Sequence, residues 1–255
     1  AFLKIDKEGA TLPQASLRKN LNPHVVILTP SHQFPLGAVM SPQRRRDYLH
    51  WANNNEAWII EDDYDSEFRY AGRPIPAMMG FDTLNRTIYI GSFSKVFSNT
   101  LRLGYIIAPN SLVGSIRQTM DTFGLKAGLM PQQALANFMQ SGEFYRHIRR
   151  IRKVYNGRRK YLIKRLQEKL NHFGYVDDHP AGMQLVFHLT APLNDVTIVK
   201  RAMEKGFHFD ALSQSAASNP GYNGFILGFC SYSEQEMDNA IDCLSHIINT
   251  HPIHT

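Results

Sequence analysis

Short apolar runs alternate with amphipathic segments along the first half of the chain. Four runs have the length and composition of buried strands: 25–29, 57–60, 87–90 and 103–108. Between the first two, Ser41 and Pro42 are typical of a helix start, because serine caps free backbone N–H groups and proline suits the first turn. The alternation of strands with helices predicts an α/β fold.

The second half begins with a helical pattern and continues as a smaller α/β unit. Apolar residues between 131 and 170 recur mostly at steps of three or four, as on the buried face of one long helix or a helix pair. Strands are predicted at 183–189 and 225–229. Ser233 and Glu236 have the spacing of a capping box, which predicts a helix that continues to about Ile248.

Composition indicates an ordinary globular protein, with 43% hydrophobic and 20% charged residues. Two cysteines are too few for a disulfide framework or a zinc site, so a reducing cytoplasm is the expected location. No apolar run is long enough to span a bilayer, and we expect no membrane partner.

The net charge of +6 is a mild indication of an anionic partner. The stretch 146–165 contains ten Lys and Arg residues and no acidic residue. A solvated helix face is the preferred interpretation of this stretch, and a DNA-facing stripe is the alternative.

A candidate reactive lysine follows the predicted strand 87–90. The segment 91–95 is Gly-Ser-Phe-Ser-Lys, and Arg102 comes seven residues after Lys95. Open α/β sheets bind ligands at strand ends, and hydroxyls with a guanidinium can hold a phosphate. A partly desolvated lysine near cations has a lowered pKa and can attack a carbonyl. A solvated lysine in a surface loop would have the same sequence.

An acidic segment, Glu-Asp-Asp-Tyr-Asp-Ser-Glu at 61–67, follows the predicted strand 57–60. Its carboxylates could bind a metal, exchange protons or pair with a buried cation, and a solvated acidic loop is the alternative. A carboxylate at one strand end and a lysine at another match the needs of pyridoxal phosphate. The lysine forms the Schiff base, and an aspartate keeps the pyridine nitrogen protonated.

The chain resembles the aminotransferase-like, effector-binding domain of MocR/GabR-type bacterial transcriptional regulators of the GntR superfamily. The resemblance rests mainly on the segments 29–37 (TPSHQFPLG), 60–68 (IEDDYDSEF), 91–95 (GSFSK), 101–105 (LRLGY), 147–155 (HIRRIRKVY) and 227–229 (LGF). It implies pyridoxal-phosphate-dependent transferase fold type I. The large domain would have a mostly parallel sheet, and the smaller C-terminal domain would be α/β.

The resemblance also implies roles for individual residues. Lys95 would form the Schiff base, Asp62 would face the pyridine nitrogen, and Tyr64 would hydrogen-bond the phenolic oxygen of the cofactor. The residues on the phosphate side would be Ser92, Ser94 and Arg102. No metal is implied. His32 could touch the cofactor or the effector, and a structural turn histidine is an equal alternative.

Two positions depart from the pattern. An arginine usually precedes the C-terminal Leu-Gly-Phe and binds the ligand carboxylate, whereas here that position is Ile226. Aminotransferases tend to have asparagine before the proline of the first motif, whereas this chain has Phe34, as expected of the regulators.

The resemblance further implies a truncated large domain. Residues 1–145 would be the remainder of that domain, and 146–255 would form a long linking helix and the small C-terminal domain. A winged-helix DNA-binding domain and the start of the large domain, with its phosphate loop and the residue stacked on the cofactor ring, would lie upstream.

The expected function is therefore effector sensing in a dimeric regulator. An amino acid, an amine or pyridoxal phosphate itself would be the effector, and DNA would be bound through the upstream domain. A working pyridoxal-phosphate-dependent aminotransferase is the alternative, because fold and cofactor are the same in both. Whether the protein is an enzyme stays open at this point.

Overall fold

The structure is a computed structural model that describes residues 2–13, 23–98, 100–190, 192–217 and 221–250. The chain divides into two compact units. The first takes the described residues of 1–34, 38–67 and 72–150, and the second takes those of 35–37, 68–71 and 151–255.

A four-stranded sheet forms the centre of the first unit, with the order β3-β4-β5-β6. Strands β3 (Val25–Leu28), β4 (Trp58–Asp63) and β5 (Thr87–Ser92) are parallel, and β6 (Gly104–Ile107) runs antiparallel to β5. These are the four strands that the apolar runs predict. A two-stranded hairpin, β1 (Ile5–Asp6) and β2 (Gly9–Ala10), precedes them.

Helix α1 (Pro42–Asn54) connects β3 to β4 and covers the sheet with one apolar face. Ser41 caps it as predicted, since its hydroxyl accepts a hydrogen bond from the Arg44 N–H at 3.2 Å. The core of this unit joins side chains of the helix and the sheet: Val26, Leu28, Met40, Tyr48, Leu49, Ala52, Ile59 and Met78. A short 3₁₀ turn at Met78–Phe81 lies against it.

Three helices follow β6: α2 (Asn110–Thr122), α3 (Leu129–Gln140) and α4 (Glu143–Leu170). The predicted helical region 131–170 is therefore a helix pair, separated at Gly142, whose φ of +77° ends α3. The sequence analysis does not predict α2: its apolar residues recur at helical spacing, but no side-chain cap marks its start and none of its side chains is buried.

The second unit combines a four-stranded antiparallel sheet with the part of α4 that follows residue 150 and with two further helices. Its strand order is β7 (Gly174–Asp177), β8 (Gln184–Leu189), β10 (Gly224–Gly228) and β9 (Asp210–Ala211). Helices α5 (Asp195–Glu204) and α6 (Glu234–Asn249) complete it, and α6 begins with the predicted Ser233–Glu236 capping box. No helix in the described ranges is long and apolar enough to cross a membrane.

Candidate cofactor-binding site

The carboxyl ends of β4 and β5 bring most of the predicted site residues to one edge of the sheet. The strands are parallel and in register, with Asp62 beside Ile90 and Asp63 beside Gly91. Asp62 and Tyr64 therefore lie at the end of β4, next to Ser92 at the end of β5. Ser94 and Lys95 follow within the next turn of the chain.

Asp62 lies on the opposite face of β4 from its two acidic neighbours. Glu61 and Asp63 are buried, whereas Asp62 is half-buried, as the alternation of a pleated strand requires. No hydrogen bond or ion pair to the Asp62 side chain is formed within the described part of the chain. Burial raises the pKa of Asp62, and the nearby charges of Asp63 and Asp65 raise it further.

Tyr64 is held by a small polar cluster that includes His32 and Asp65. The Tyr64 hydroxyl donates to the His32 carbonyl oxygen at 3.0 Å. The His32 Nδ1 is 3.1 Å from the Tyr64 hydroxyl and 2.9 Å from Asp65 Oδ2. His32 and Asp65 are buried, with 3% and 2% of their side-chain surfaces exposed. Burial is the main cause that raises the pKa of Tyr64, and the Asp65 charge adds to it.

Lys95 is exposed in a turn that directly follows β5. The Phe97 N–H donates to the Phe93 carbonyl at 2.9 Å, and the Ser94 N–H donates to Ser92 Oγ at 3.2 Å, so the turn is closed by local bonds. The charge of Lys95 reaches Asp65: burial raises the pKa of Asp65, while the His32 bond and the Lys95 charge oppose that shift.

The buried side of this turn is apolar and is supported by α4. Val96, next to Lys95, is buried, and its carbonyl accepts a hydrogen bond from His147 Nε2 at 3.0 Å. The rings of Phe97 and Phe144 are stacked with their centroids 6.4 Å apart. His147 is not predicted as a site residue, because its contact with Val96 spans 51 residues of chain and leaves no local signal in the sequence.

Arg102 lies in the loop that leads into β6. It is exposed, and its φ of +47° is in the left-handed region that non-glycine residues rarely adopt. No hydrogen bond or ion pair joins it to the other predicted site residues in the described ranges. The next residue, Leu103, is anchored, because its carbonyl accepts from the Phe93 N–H at 3.0 Å.

Glu61 and Asp63, like Asp65, bind groups of the protein itself. Glu61 accepts hydrogen bonds from the Met78 and Met79 N–H groups at 2.6 and 2.9 Å. Asp63 Oδ2 accepts from the Tyr89 hydroxyl at 2.6 Å and from the Ser66 hydroxyl at 2.7 Å. In the described ranges no group of three or more His, Cys, Asp or Glu side chains is arranged to hold a metal ion.

A buried arginine organises the loop that contains His32. Arg45 is fully buried and donates to the carbonyls of Pro30, Met40 and Pro76 at 2.9, 3.1 and 2.7 Å. Its guanidinium is also 3.9 Å from Glu61. Sequence reasoning did not identify this residue, because an arginine among the three consecutive arginines of α1 is usually solvated.

Ile226 belongs to an apolar cluster of the second unit. It is buried together with Val186 and Leu212, and Leu36 and Tyr222 pack against them. Leu36 comes from the 29–37 motif, which the resemblance associates with the ligand. The position that would hold a carboxylate-binding arginine is therefore filled by hydrocarbon.

The basic stretch 146–165 is largely engaged by the protein itself. Arg159 is buried and pairs with Asp178, and Arg165 pairs with Glu168 and Asp238. Other members of the stretch face solvent, including Arg149, Lys153 and Lys160. These solvent-facing residues agree with the preferred interpretation of the stretch as a solvated helix face.

Comparison with known proteins shows similarity to bacterial regulators. The chain is 35% identical to the probable rhizopine catabolism regulatory protein MocR of Rhizobium meliloti over 95% of its length, which is 48% of that protein. It is 32% identical to the pyridoxine biosynthesis regulator PdxR of Corynebacterium glutamicum over 90% of its length and 49% of that protein. The chain thus spans about half the length of these HTH-type relatives.

Solved aminotransferases share the fold. The chain matches kynurenine aminotransferase of Pyrococcus horikoshii with a TM-score of 0.85 and 24% identity, over 96% of this chain and 62% of that one. It matches LysN, an α-aminoadipate aminotransferase of Thermus thermophilus complexed with N-(5'-phosphopyridoxyl)-L-leucine, with a TM-score of 0.85 and 21% identity, over 97% and 64%. These matches confirm the predicted fold, the pyridoxal-phosphate-dependent transferase fold type I.

The family model "Aminotransferase class I and II" matches residues 8–244, nearly the whole chain. Together with the regulators named above, this match confirms the resemblance that the motifs indicate. The chain belongs to the aminotransferase class I and II family.

Proposed function

We propose that this chain is the effector-sensing domain of a pyridoxal-phosphate-dependent transcriptional regulator. The cofactor is held by Lys95, and an amino acid, an amine or pyridoxal phosphate itself is the effector. The full-length protein is a cytoplasmic homodimer that binds DNA through a winged-helix domain preceding residue 1. Its large domain begins upstream and includes residues 1–145, and 146–255 form the linking helix and the small domain.

The environment of the Asp62 carboxylate is the observation that best supports cofactor binding. This carboxylate is half-buried, has no protein partner among the described residues, and has a pKa raised by burial and by two neighbouring carboxylates. A cation at this position would relieve both effects. The protonated nitrogen of a pyridine ring is such a cation, and the family's cofactor supplies it. The donor set of this sheet edge therefore fits pyridoxal phosphate.

The other predicted residues complete the proposed site. Bound there, pyridoxal phosphate supplies an aldehyde for covalent attachment and a ring that withdraws electrons. Lys95 provides the attacking amine from an exposed turn, and Asp62 holds a proton at the ring nitrogen. Tyr64 donates its hydroxyl proton to the phenolic oxygen.

Ser92, Ser94 and Arg102 are proposed for the phosphate. Serine hydroxyls and the planar guanidinium donate hydrogen bonds to phosphate oxygens. The left-handed backbone of Arg102 supports this role, because strained residues persist where their environment or a ligand fixes them. The upstream part of the large domain would supply the remaining phosphate donors.

Two observations favour a sensor over an aminotransferase. Three relatives that are 32–35% identical over at least 90% of this chain are transcriptional regulators, whereas the two aminotransferases named above are 24% and 21% identical. Ile226 and its apolar neighbours cannot bind a carboxylate, whereas an aminotransferase must orient an amino acid for proton transfer. The effector shifts the regulator between two states only by its different affinities for them. A working aminotransferase remains the second candidate, because the proposed cofactor residues are intact.

The test is spectroscopic and uses the full-length protein. Pyridoxal phosphate is added, the visible band is recorded, and amino acids, amines and more cofactor are titrated. Lys95→Ala is the variant, and Lys160→Ala, an exposed lysine on α4, is the matched control. We expect a band that Lys95→Ala abolishes and Lys160→Ala retains, and an effector that perturbs the band without turnover.

Other outcomes separate the candidates. Conversion of an amino acid and the bound cofactor into a keto acid and pyridoxamine phosphate, repeated over many cycles when a second keto acid is supplied as amino-group acceptor, would favour the aminotransferase. A band that persists in Lys95→Ala would overturn the assignment of Lys95. DNA affinity measured with and without the perturbing compound then tests regulation directly.

A further inference from the structure

We propose that His32, fixed by Asp65, positions the Tyr64 hydroxyl so that this hydroxyl can donate its proton to the cofactor. His32 is then a positioning residue and not a catalytic one, since it acts through Tyr64. The inference deepens the proposed function and rests on its cofactor-binding part.

The Tyr64 hydroxyl has a single proton. In the structure this proton points to the His32 carbonyl, 3.0 Å away. A phenol has one proton to donate, so it cannot donate to the His32 carbonyl and to a cofactor oxygen at the same time. When the proton turns to the cofactor, the bond to the carbonyl is lost.

The contact with the His32 side chain survives that change. His32 Nδ1 is 3.1 Å from the Tyr64 oxygen, and a phenol oxygen that donates can still accept. The one proton on Nδ1 is shared in a three-centre bond between Asp65 Oδ2 at 2.9 Å and the Tyr64 oxygen at 3.1 Å, and it holds the Tyr64 oxygen in both states. Of the two contacts between these residues, only this one is compatible with donation to the cofactor.

Asp65 ensures that Nδ1 carries the proton. Its Oδ2 is 2.9 Å from His32 Nδ1, and a carboxylate only accepts hydrogen bonds, which fixes the tautomer of the ring. Both side chains are almost completely buried, so water does not compete for this bond. The other groups that act on this pair are the carboxylates of Asp62 and Asp63 and the cation of Lys95.

The second oxygen of Asp65 is also informative. Asp65 Oδ1 is buried and has no hydrogen-bond partner in the described ranges. A carboxylate placed only to stabilise the fold would be expected to have both oxygens bonded. Asp65 instead directs one oxygen to His32 and leaves the other free beside the site.

The experiment measures the pH midpoint of the visible band of the cofactor-bound, full-length protein. The hydrogen bond from Tyr64 withdraws electron density from the phenolic oxygen, so this oxygen attracts the proton on Lys95 Nζ less strongly. Loss of the Tyr64 bond should therefore raise the pH at which that proton dissociates, which is the pH midpoint of the visible band. We expect His32→Leu to raise it by about half to one pH unit, the size of one hydrogen bond. Tyr64→Phe should raise it by at least as much.

Three further variants separate positioning from general structural damage. Asparagine can present a donor near the position of Nδ1, so His32→Asn should keep the midpoint near that of the wild type. His50→Leu, at an exposed histidine of α1, should leave it unchanged. The double variant His32→Leu with Tyr64→Phe should match Tyr64→Phe alone, because His32 acts only through the tyrosine hydroxyl.

Additive shifts in the double variant, or no shift in His32→Leu, would overturn the inference. A cofactor-free measurement distinguishes failure of the His32–Tyr64 contact from failure of cofactor binding. The proton NMR spectrum of the cofactor-free protein should contain a downfield, exchange-protected N–H resonance that His32→Leu removes and Tyr64→Phe moves. If the wild type forms no visible band, the proposed cofactor binding is wrong, but the N–H resonance still tests the His32–Tyr64 contact. A resonance that does not move in Tyr64→Phe would contradict that contact.

Discussion

At the scale of single residues, adjacent carboxylates of β4 have different tasks because a strand alternates its faces. Glu61 and Asp63 point inward and accept hydrogen bonds from Met78, Met79, Ser66 and Tyr89. Asp62 lies on the other face, and no protein group balances its charge in the described part of the chain. This uncompensated charge makes Asp62 suitable for binding a cationic ring, and it lowers the stability of the fold when no cofactor is bound.

The Asp62 carboxylate should therefore destabilise the cofactor-free protein at neutral pH. The pKa of Asp62 is higher in the folded protein than in the unfolded chain. Below about pH 4 the side chain is protonated in both states and does not lower the free energy of unfolding. As the pH rises through the folded-state pKa, the side chain becomes charged and the free energy of unfolding falls. We expect Asp62→Asn to raise the free energy of unfolding at pH 7 and to change it little near pH 3.5, measured by urea denaturation.

The control for this prediction is Asp210→Asn, at an exposed aspartate of the second unit. It should change stability little at either pH. A wild type that is more stable than Asp62→Asn at pH 7 without cofactor would contradict the assignment of an unbalanced charge. With cofactor, the order should reverse, because the variant loses the partner of the ring nitrogen.

Residue-level chemistry could be predicted from the sequence only in part. Motifs at strand ends predict a cofactor site with Asp62, Tyr64 and Lys95, and these roles stay a prediction. The roles of Glu61 as a partner of backbone N–H groups and of Arg45 as a buried donor to three carbonyls depend mostly on contacts 15 to 31 residues apart along the chain. Such contacts leave no local pattern.

At the scale of elements, the close approach of β5 and β6 depends on glycine. A Cβ atom at Gly91 would be 2.3 Å from the Tyr105 ring, which packs beside the rings of Tyr89 and Phe93. Tyr105 covers the start of the turn that contains Lys95. The small side chain at position 91 thus lets an aromatic ring support that turn.

Gly91→Ala should therefore destabilise the first unit by about 1–3 kcal/mol, because the Tyr105 ring must leave its place. The matched control is Gly157→Ala in α4, where a Cβ meets nothing within 4 Å. That change should stabilise the helix by about 0.5–1 kcal/mol through helix propensity. Thermal or urea unfolding measures both, and equal effects of the two substitutions would contradict the packing argument.

Elements marked by a compact apolar run or by capping residues are predicted from the sequence. Strands β3 to β6, β8 and β10 and helices α1 and α6 follow from such runs and caps. Helices α2 and α5 are amphipathic but lack the Ser-Pro start of α1 and the capping box of α6, and β9 has only two residues. Prediction from patterning therefore succeeds where a run or a cap marks the element, even for the exposed strand β6.

At the scale of the whole molecule, the outer strands of the first sheet remain apolar and open. Ile27 of β3 and Ile106 of β6 are 66% and 48% exposed. Exposed edges of this kind are normally covered. This exposure supports the proposal that a longer protein places more structure against both strands. It fits a chain that spans about half of its regulatory relatives.

The apolar cluster around Ile226 should not accept a ligand carboxylate. Ile226→Arg would restore the residue that the family uses for carboxylates, but here it would bury a charge among Val186, Leu212 and Leu36. We expect Ile226→Arg to lower the free energy of unfolding by about 3 kcal/mol or more and not to improve amino-acid binding. Ile226→Val, the control, should cost about 0.5–1.5 kcal/mol. Amino-acid binding that improves in Ile226→Arg without loss of stability would contradict this view.

The central claim is that Lys95 carries the cofactor. Its most direct test is to add pyridoxal phosphate to the full-length protein, reduce the adduct with borohydride, digest the protein and sequence the labelled peptide by mass spectrometry. The account predicts one phosphopyridoxyl group, on Lys95 in the segment Gly-Ser-Phe-Ser-Lys. A label on other lysines in proportion to their exposure, or no label at all, would contradict it.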